Sequence, residues 1–219
     1  MICRFGKTEL SCILNYLNQN KSFFSKCAGY INGEVRSFFW DETILARMSK
    51  LSGFFPEDRQ LLDKFCELML EDTKYVDILG SWLLEEMFLS NELTHAKKVQ
   101  LIDLEPYCHE NPWSEALQGK KVLVIHPFEH SIRTQYQKRD VLFENKNVLP
   151  DFELKTIKAV QTIANNKNGF RNWFDALDFM KDRISGTDFD IAIIGCGAYG
   201  FPLAVHVKRI GKKAVHLGG

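Results

Sequence analysis

The run Phe189-Asp190-Ile191-Ala192-Ile193-Ile194 leads straight into Gly195-Cys196-Gly197-Ala198-Tyr199-Gly200, and Phe201 to Ile210 follows with helical spacing. A buried strand, a G-x-G-x-x-G turn and a helix, in that order, constrain the fold more than any other stretch of the chain. The first glycine allows a sharp turn, the second lets a ligand approach the backbone, and the third lets the helix pack closely on the sheet. Amides at the helix start can then face an anion, with the helix dipole adding about 0.3–1 kcal/mol. The bland alternative is a tight strand-to-helix turn that binds nothing.

The neighbouring segments extend the same pattern. Lys121 to His126, Leu154 to Val160 and Ala214 to Leu217 read as further strands. Ser131 to Leu142 and Gly169 to Ile184 read as helices between them. In the N-terminal half, Thr8 to Leu17, Asp41 to Leu51, Pro56 to Met69 and Ser81 to Leu89 have helical spacing, and Val76 to Leu79 reads as a short strand. Strands alternating with helices predict parallel pairing through crossovers. The expected fold is α/β: an open Rossmann-like, mainly parallel sheet flanked by helices, with a helix-rich N-terminal half. A single domain over 1–219 is expected, with Asn111 to Gly119 as the candidate boundary between a helix-rich 1–118 and a Rossmann-like 119–219.

Charge narrows the partners. Lys plus Arg and Asp plus Glu are equal at 28 each, so no global field draws the chain to nucleic acid. The six cysteines are scattered singly, without a C-x-x-C pair, which speaks against a zinc ribbon and suits a reducing cytoplasm. No apolar run approaches the ~20 residues that span a bilayer. The expected location is cytoplasmic, with at most peripheral contact at the inner face of the membrane.

A nicotinamide site wants an acidic residue near the end of the next strand, about 20 residues on, to hold the ribose. That strand here reads Ala214-Val215-His216-Leu217-Gly218-Gly219, with no acid, so another diphosphate ligand fits the turn better. A second candidate is Arg4-Phe5-Gly6-Lys7-Thr8-Glu9, where Arg4 can clamp a phosphate and Glu9 can act as a base. Glu105 and His109 form a candidate acid–base pair just before Trp113. His126 stands at the carboxyl end of a predicted parallel strand, where open sheets bind ligands. His216, near the end of the last strand, is open between core and site. No G-x-S-x-G elbow, Walker lysine or H-E-x-x-H is present.

Several of these blocks together resemble a family of bacterial polysaccharide-biosynthesis proteins, similar to glycosyltransferases of the GT-D type. The resemblance is carried by Ile193 to Gly200 with Pro202-Leu203-Ala204, by Gly211 to Gly219, by Asn111 to Ser114, by Lys120 to Phe128, and by Arg4-Phe5-Gly6 with Glu9. It implies transfer of a sugar from a nucleotide-sugar donor to a glycan or lipid-linked acceptor in capsule, exopolysaccharide or lipopolysaccharide assembly. It also implies that the turn from Arg4 to Glu9 faces the donor. Donor contacts are then expected from Arg4, Gly6 and Lys7 and from Gly195, Gly197, Ala198, Tyr199 and Gly200. Glu9, Glu105 and His126 are the candidate bases, and His109, Trp113 and His216 the acceptor or supporting positions. Better-known GT-D members carry an Asp-x-Glu metal motif in this turn. Here Lys7 stands in place of the acid and only Glu9 matches; a lysine can itself neutralise diphosphate charge, which leaves dependence on Mn²⁺ or Mg²⁺ open. The competing readings are a nucleotide-dependent oxidoreductase on the same glycine turn and a non-catalytic scaffold of a polysaccharide assembly complex.

Overall fold

A computed structural model of the chain describes residues 1–19, 29, 41–163 and 168–218. Its strands are β1 (Ile2–Cys3), β2 (Ile78–Ser81), β3 (Lys97–Gln100), β4 (Lys121–His126), β5 (Glu153–Lys158), β6 (Ile191–Gly195) and β7 (Lys213–Gly218). They form one seven-stranded sheet in the order β3-β2-β1-β7-β6-β4-β5, and every neighbouring pair is parallel. The fold is therefore α/β and Rossmann-like, and both halves of the chain build the same sheet. All strands point the same way, so the loops that follow them gather at one edge.

The helices are α1 (Lys7–Gln19), α2 (Thr43–Ser52), α3 (Arg59–Thr73), α4 (Glu129–Tyr136), α5 (Arg139–Leu142), α6 (Trp173–Ser185) and α7 (Gly200–Arg209). Side chains alternate across a strand, and this assigns the two faces. Leu123, Ile125, Ala192 and Ile194 join the main core with Leu10 and Ile13 of α1, Met48 of α2, Phe65 of α3, Leu177 of α6 and Leu203 of α7. The intervening residues Val122, Val124, Ile191 and Ile193 belong to a smaller cluster with Trp113, Leu117, Tyr136 and Phe152.

Two strands lie outside the sequence expectation. β1 is two residues long, too short for a periodic signal, yet it sits between β2 and β7 near the middle of the sheet. β3 reads Lys-Lys-Val-Gln and is an edge strand, where lysines discourage pairing with other chains. The N-terminal half thus supplies β1 to β3 as well as α1 to α3. Pro56 does not open α3. It follows Phe55 through a cis peptide, and Asp58 caps the helix by accepting from the Leu61 amide at 2.9 Å. Ser81 to Leu89 narrows to a 3₁₀ helix at Leu84–Leu89, and the single helix expected from Ser131 divides into α4 and α5.

At the end of α3, Asp72 is buried while paired with Arg209 of α7 at 2.9 Å. Burial outweighs the arginine and lifts its carboxyl to about 7. The folded state therefore holds a proton that the unfolded chain, with an ordinary carboxyl near 3.8, releases. Stability should fall as pH rises between those values, and the full cost is present above pH 7. The advantage of Asp72→Asn over the parent protein should grow by roughly 2–3 kcal/mol between pH 5 and pH 8 in urea unfolding. An equal difference at both pH values would mean the carboxyl does not titrate in this window.

Candidate functional site

The carboxyl ends of β1 and β7 open into a cavity of about 180 Å³. Arg4, Gly6, Lys7 and Glu9 line it from the turn between β1 and α1. Gly197 and Ala198 line it from the turn after β6, and His216 and Gly218 from β7 itself. Leu51 and Ser52 at the end of α2, Met69 of α3 and Trp82 after β2 complete the wall. The two ends of the chain thus meet because β1 and β7, which pair Ile2 with Val215, are hydrogen-bonded neighbours.

Arg4 is held by its surroundings and still has donor capacity to spare. Its guanidinium lies 5.0 Å from the centroid of the Trp82 ring, and Trp82 is fixed by its indole N–H donating to the Phe5 carbonyl at 2.9 Å. The Nε–H of Arg4 is buried without a hydrogen-bond partner among the described residues. A buried donor left unpaired costs about 1–3 kcal/mol, which a bound anion would recover. Gly218, at φ 97°, lets the arginine lie flat: a Cβ there would stand 3.1 Å from its Cζ.

Glu9 folds back over Gly6, where a Cβ would come within 2.0 Å of its Oε2. Burial pushes its carboxyl above the usual range, while hydrogen bonds from its own backbone and from Ser52, and the charge of Arg4, work against that rise. Lys7 is exposed at the rim.

The three motif glycines do different jobs from those the pattern suggests. Gly197, at φ 59°, makes the turn that opens the 3₁₀ segment Gly197–Tyr199. Gly195 closes β6 at a register irregularity and lies against the His126 ring, whose Cδ2 would be 3.0 Å from an added Cβ. Gly200 seats His216: a Cβ there would stand 2.3 Å from the imidazole Cε1. That ring packs edge-on against Phe201, with centroids 6.3 Å apart. Burial drives His216 down to about 4, so it is neutral at physiological pH. Its Nδ1–H faces the Ile194 carbonyl at 3.4 Å, which leaves Nε2 as an acceptor on a residue that lines the cavity.

Other candidates are placed elsewhere. Tyr199 is a core residue rather than a donor contact: its ring stacks on Trp173 with centroids 4.9 Å apart, and its hydroxyl bonds Thr162 at 2.7 Å. Glu105 and His109 do not form an acid–base pair. Glu105 bonds the Tyr107 hydroxyl, and His109 Nε2–H donates to the Ile102 carbonyl at 2.9 Å. Trp113 donates to the Leu104 carbonyl at 3.1 Å and packs into the smaller core. None of these four lines the cavity. His126 is also outside its wall; the Phe128 amide donates to His126 Nδ1 at 3.1 Å, which fixes a neutral ring with the proton on Nε2. Trp82 and Ser52 escaped the sequence reading, although an aromatic directly after a short apolar strand was a usable signal for Trp82.

The wall is a poor divalent-cation site. Among the described residues Glu9 is the one carboxylate lining it, beside the cations Arg4 and Lys7. Among the described residues no three His, Cys, Asp or Glu side chains group as metal ligands. Mg²⁺ or Mn²⁺ would want more oxygen donors and less positive charge.

Compared with protein-family models, curated proteins and solved structures, the chain matches none. Among the described residues no helix is long and apolar enough to cross a membrane.

The Gly200–His216 contact can be checked directly. Gly200→Ala should destabilise the fold by about 1–3 kcal/mol, because a buried ring has to move to admit the methyl group. The same substitution should cost at least 1 kcal/mol less on a His216→Ala background. A cycle of four urea titrations measures the coupling, and additivity of the two changes would refute the contact.

Proposed function

We propose that this chain is a glycosyltransferase that binds the diphosphate of a nucleotide-sugar donor in the cavity between β1, β7 and the glycine turn. The observation that carries the reading is the convergence of Arg4, with its buried unpaired Nε–H, and the Gly197–Ala198 backbone on one cavity at the carboxyl edge of a parallel sheet. Open parallel sheets bind ligands at this edge.

In this reading Arg4 makes charge-assisted hydrogen bonds to the diphosphate, and Trp82 keeps its guanidinium plane in place. The amides of the turn into α7 face the same anion, since the first amides of a helix lack partners within it. Lys7 adds a mobile positive charge at the rim. Charge builds on the leaving nucleoside diphosphate as the bond from the sugar anomeric carbon to phosphate oxygen breaks. Arg4, Lys7 and the amides stabilise that charge most when it is greatest. The acceptor hydroxyl oxygen forms the new bond to the anomeric carbon, and Glu9 takes its proton. A carboxyl raised by burial lies nearer the working pH, which suits a general base. His216, neutral and with Nε2 free to accept, can hold a donor hydroxyl in register.

The deciding experiment is a thermal-shift and calorimetric screen against UDP-, GDP-, CMP- and dTDP-sugars, each with and without Mg²⁺ or Mn²⁺, beside NAD(H). Stabilisation by one nucleotide-sugar class, followed by release of its nucleotide on adding acceptor, is the expected result. Stabilisation by NAD(H) alone would replace this reading with the oxidoreductase. A cavity that answers no nucleotide would leave the scaffold.

A further inference from the structure

A second cavity, of about 320 Å³, opens at the same edge of the sheet, beside β4 and β5. The register of the two strands pairs His126 with Lys158, so Pro127 and Lys158 emerge side by side at their carboxyl ends. Arg183 reaches the cavity from α6, its guanidinium 5.9 Å from the Phe179 ring centroid. Gln161 and Asn168 complete the polar part of the wall.

The charge of this wall is one-sided. Among the described residues no carboxylate lines it, while Lys158 and Arg183 both do. Of the acidic residues on the same elements, Asp175 pairs with Arg171 at 2.7 Å, Asp178 with Lys181 at 3.0 Å and Glu153 with Lys155 at 3.2 Å, and the exposed Asp182 does not line the cavity. The Gln161 carbonyl accepts from the Asn168 side-chain amide, which occupies an oxygen that would otherwise oppose an anion. Two cations and two amide side chains around a concave site at the loop edge of a parallel sheet are the elements of an oxyanion pocket.

We propose that this second cavity binds a phosphate-bearing ligand, with the phosphate held between Lys158 and Arg183. The inference is independent of the donor reading, because the two cavities share no lining residue among those described. The same chemistry is presented by a small phosphate ester and by a lipid-linked diphosphate. Phe128 and Ile163, adjacent in sequence to lining residues or one residue removed, are exposed apolar side chains that a lipid tail would cover.

The test is calorimetric titration of the full chain with inorganic pyrophosphate and with geranyl diphosphate, on the parent and on Lys158→Gln/Arg183→Gln and Arg4→Met variants. The double variant should lose at least tenfold in affinity for one class of site, with its thermal midpoint unchanged. Arg4→Met should leave that site intact and affect only the other. Geranyl diphosphate binding more tightly than pyrophosphate would identify a lipid source, and equal binding a free phosphate ester. Unchanged stoichiometry and affinity in a folded Lys158→Gln/Arg183→Gln variant would overturn the proposal, whatever becomes of the Arg4 site.

Discussion

Arg4→Met is expected to weaken binding of the nucleotide diphosphate by about 100-fold, or ~2.7 kcal/mol, while leaving the unliganded protein at least as stable as the parent. The two halves of this result have one cause. In the unliganded chain the Nε–H of Arg4 is buried and unpaired, so removing it deletes an uncompensated desolvation cost. Methionine keeps an apolar stem against Trp82, whose indole stays anchored to the Phe5 carbonyl. What disappears is the charged fork that a diphosphate would engage. Arg4→Lys should recover only part of the affinity, because an ammonium keeps the charge without the planar fork. Calorimetry with the cognate nucleotide and urea unfolding without it separate the two effects. If stability falls with affinity, Arg4 is a structural residue; if neither moves, the cavity is not a diphosphate site.

The sheet was legible where apolar periodicity was strong. Lys121 to His126 and Ile191 to Gly195 are central strands with side chains packed on both faces, and their runs of Val, Leu and Ile announce it. β1 and β3 were invisible for opposite reasons: one is two residues long, and the other carries the charge that protects an edge. The site was half legible. Arg4, Gly6, Lys7 and Glu9 and the glycine turn could be picked out separately, since each is a turn leading into a helix. Their meeting at one cavity depends on β1 lying beside β7, a pairing between the two ends of the chain that no local pattern encodes. Tyr199 misled because a G-x-G-x-x-G spelling says which backbone turns and not which side chain faces outward. Glu105 and His109 misled because closeness in sequence within a loop is satisfied by short-range bonds to backbone and tyrosine.

The second large effect is expected far from any ligand, at Trp173. It is fully buried at the start of α6, with its ring stacked on Tyr199 at 4.9 Å and 8°. Phe65 and Phe174 meet it edge-on at 5.2 and 5.1 Å. Trp173→Ala should cost about 3–5 kcal/mol and lower the thermal midpoint by roughly 10 °C, since a void this large among aromatic rings cannot collapse completely. The indole N–H has no partner among the described residues, so almost all of this cost is lost packing. Trp173→Phe, which keeps a ring on Tyr199, should cost less than half as much. The consequence for the site follows from what Tyr199 does. Its hydroxyl bonds Thr162, and Thr162 donates to the carbonyl of Gly53, the residue after Ser52, which bonds Glu9. Trp173 thus backs both the glycine turn and the wall that holds Glu9. At a temperature where the alanine variant is still folded, its nucleotide affinity should drop by about threefold to tenfold, as amides and carboxylate lose their fixed spacing. Trp173→Phe should retain parental affinity. An alanine variant that is destabilised but binds as tightly as the parent would show that the cavity keeps its shape without this support.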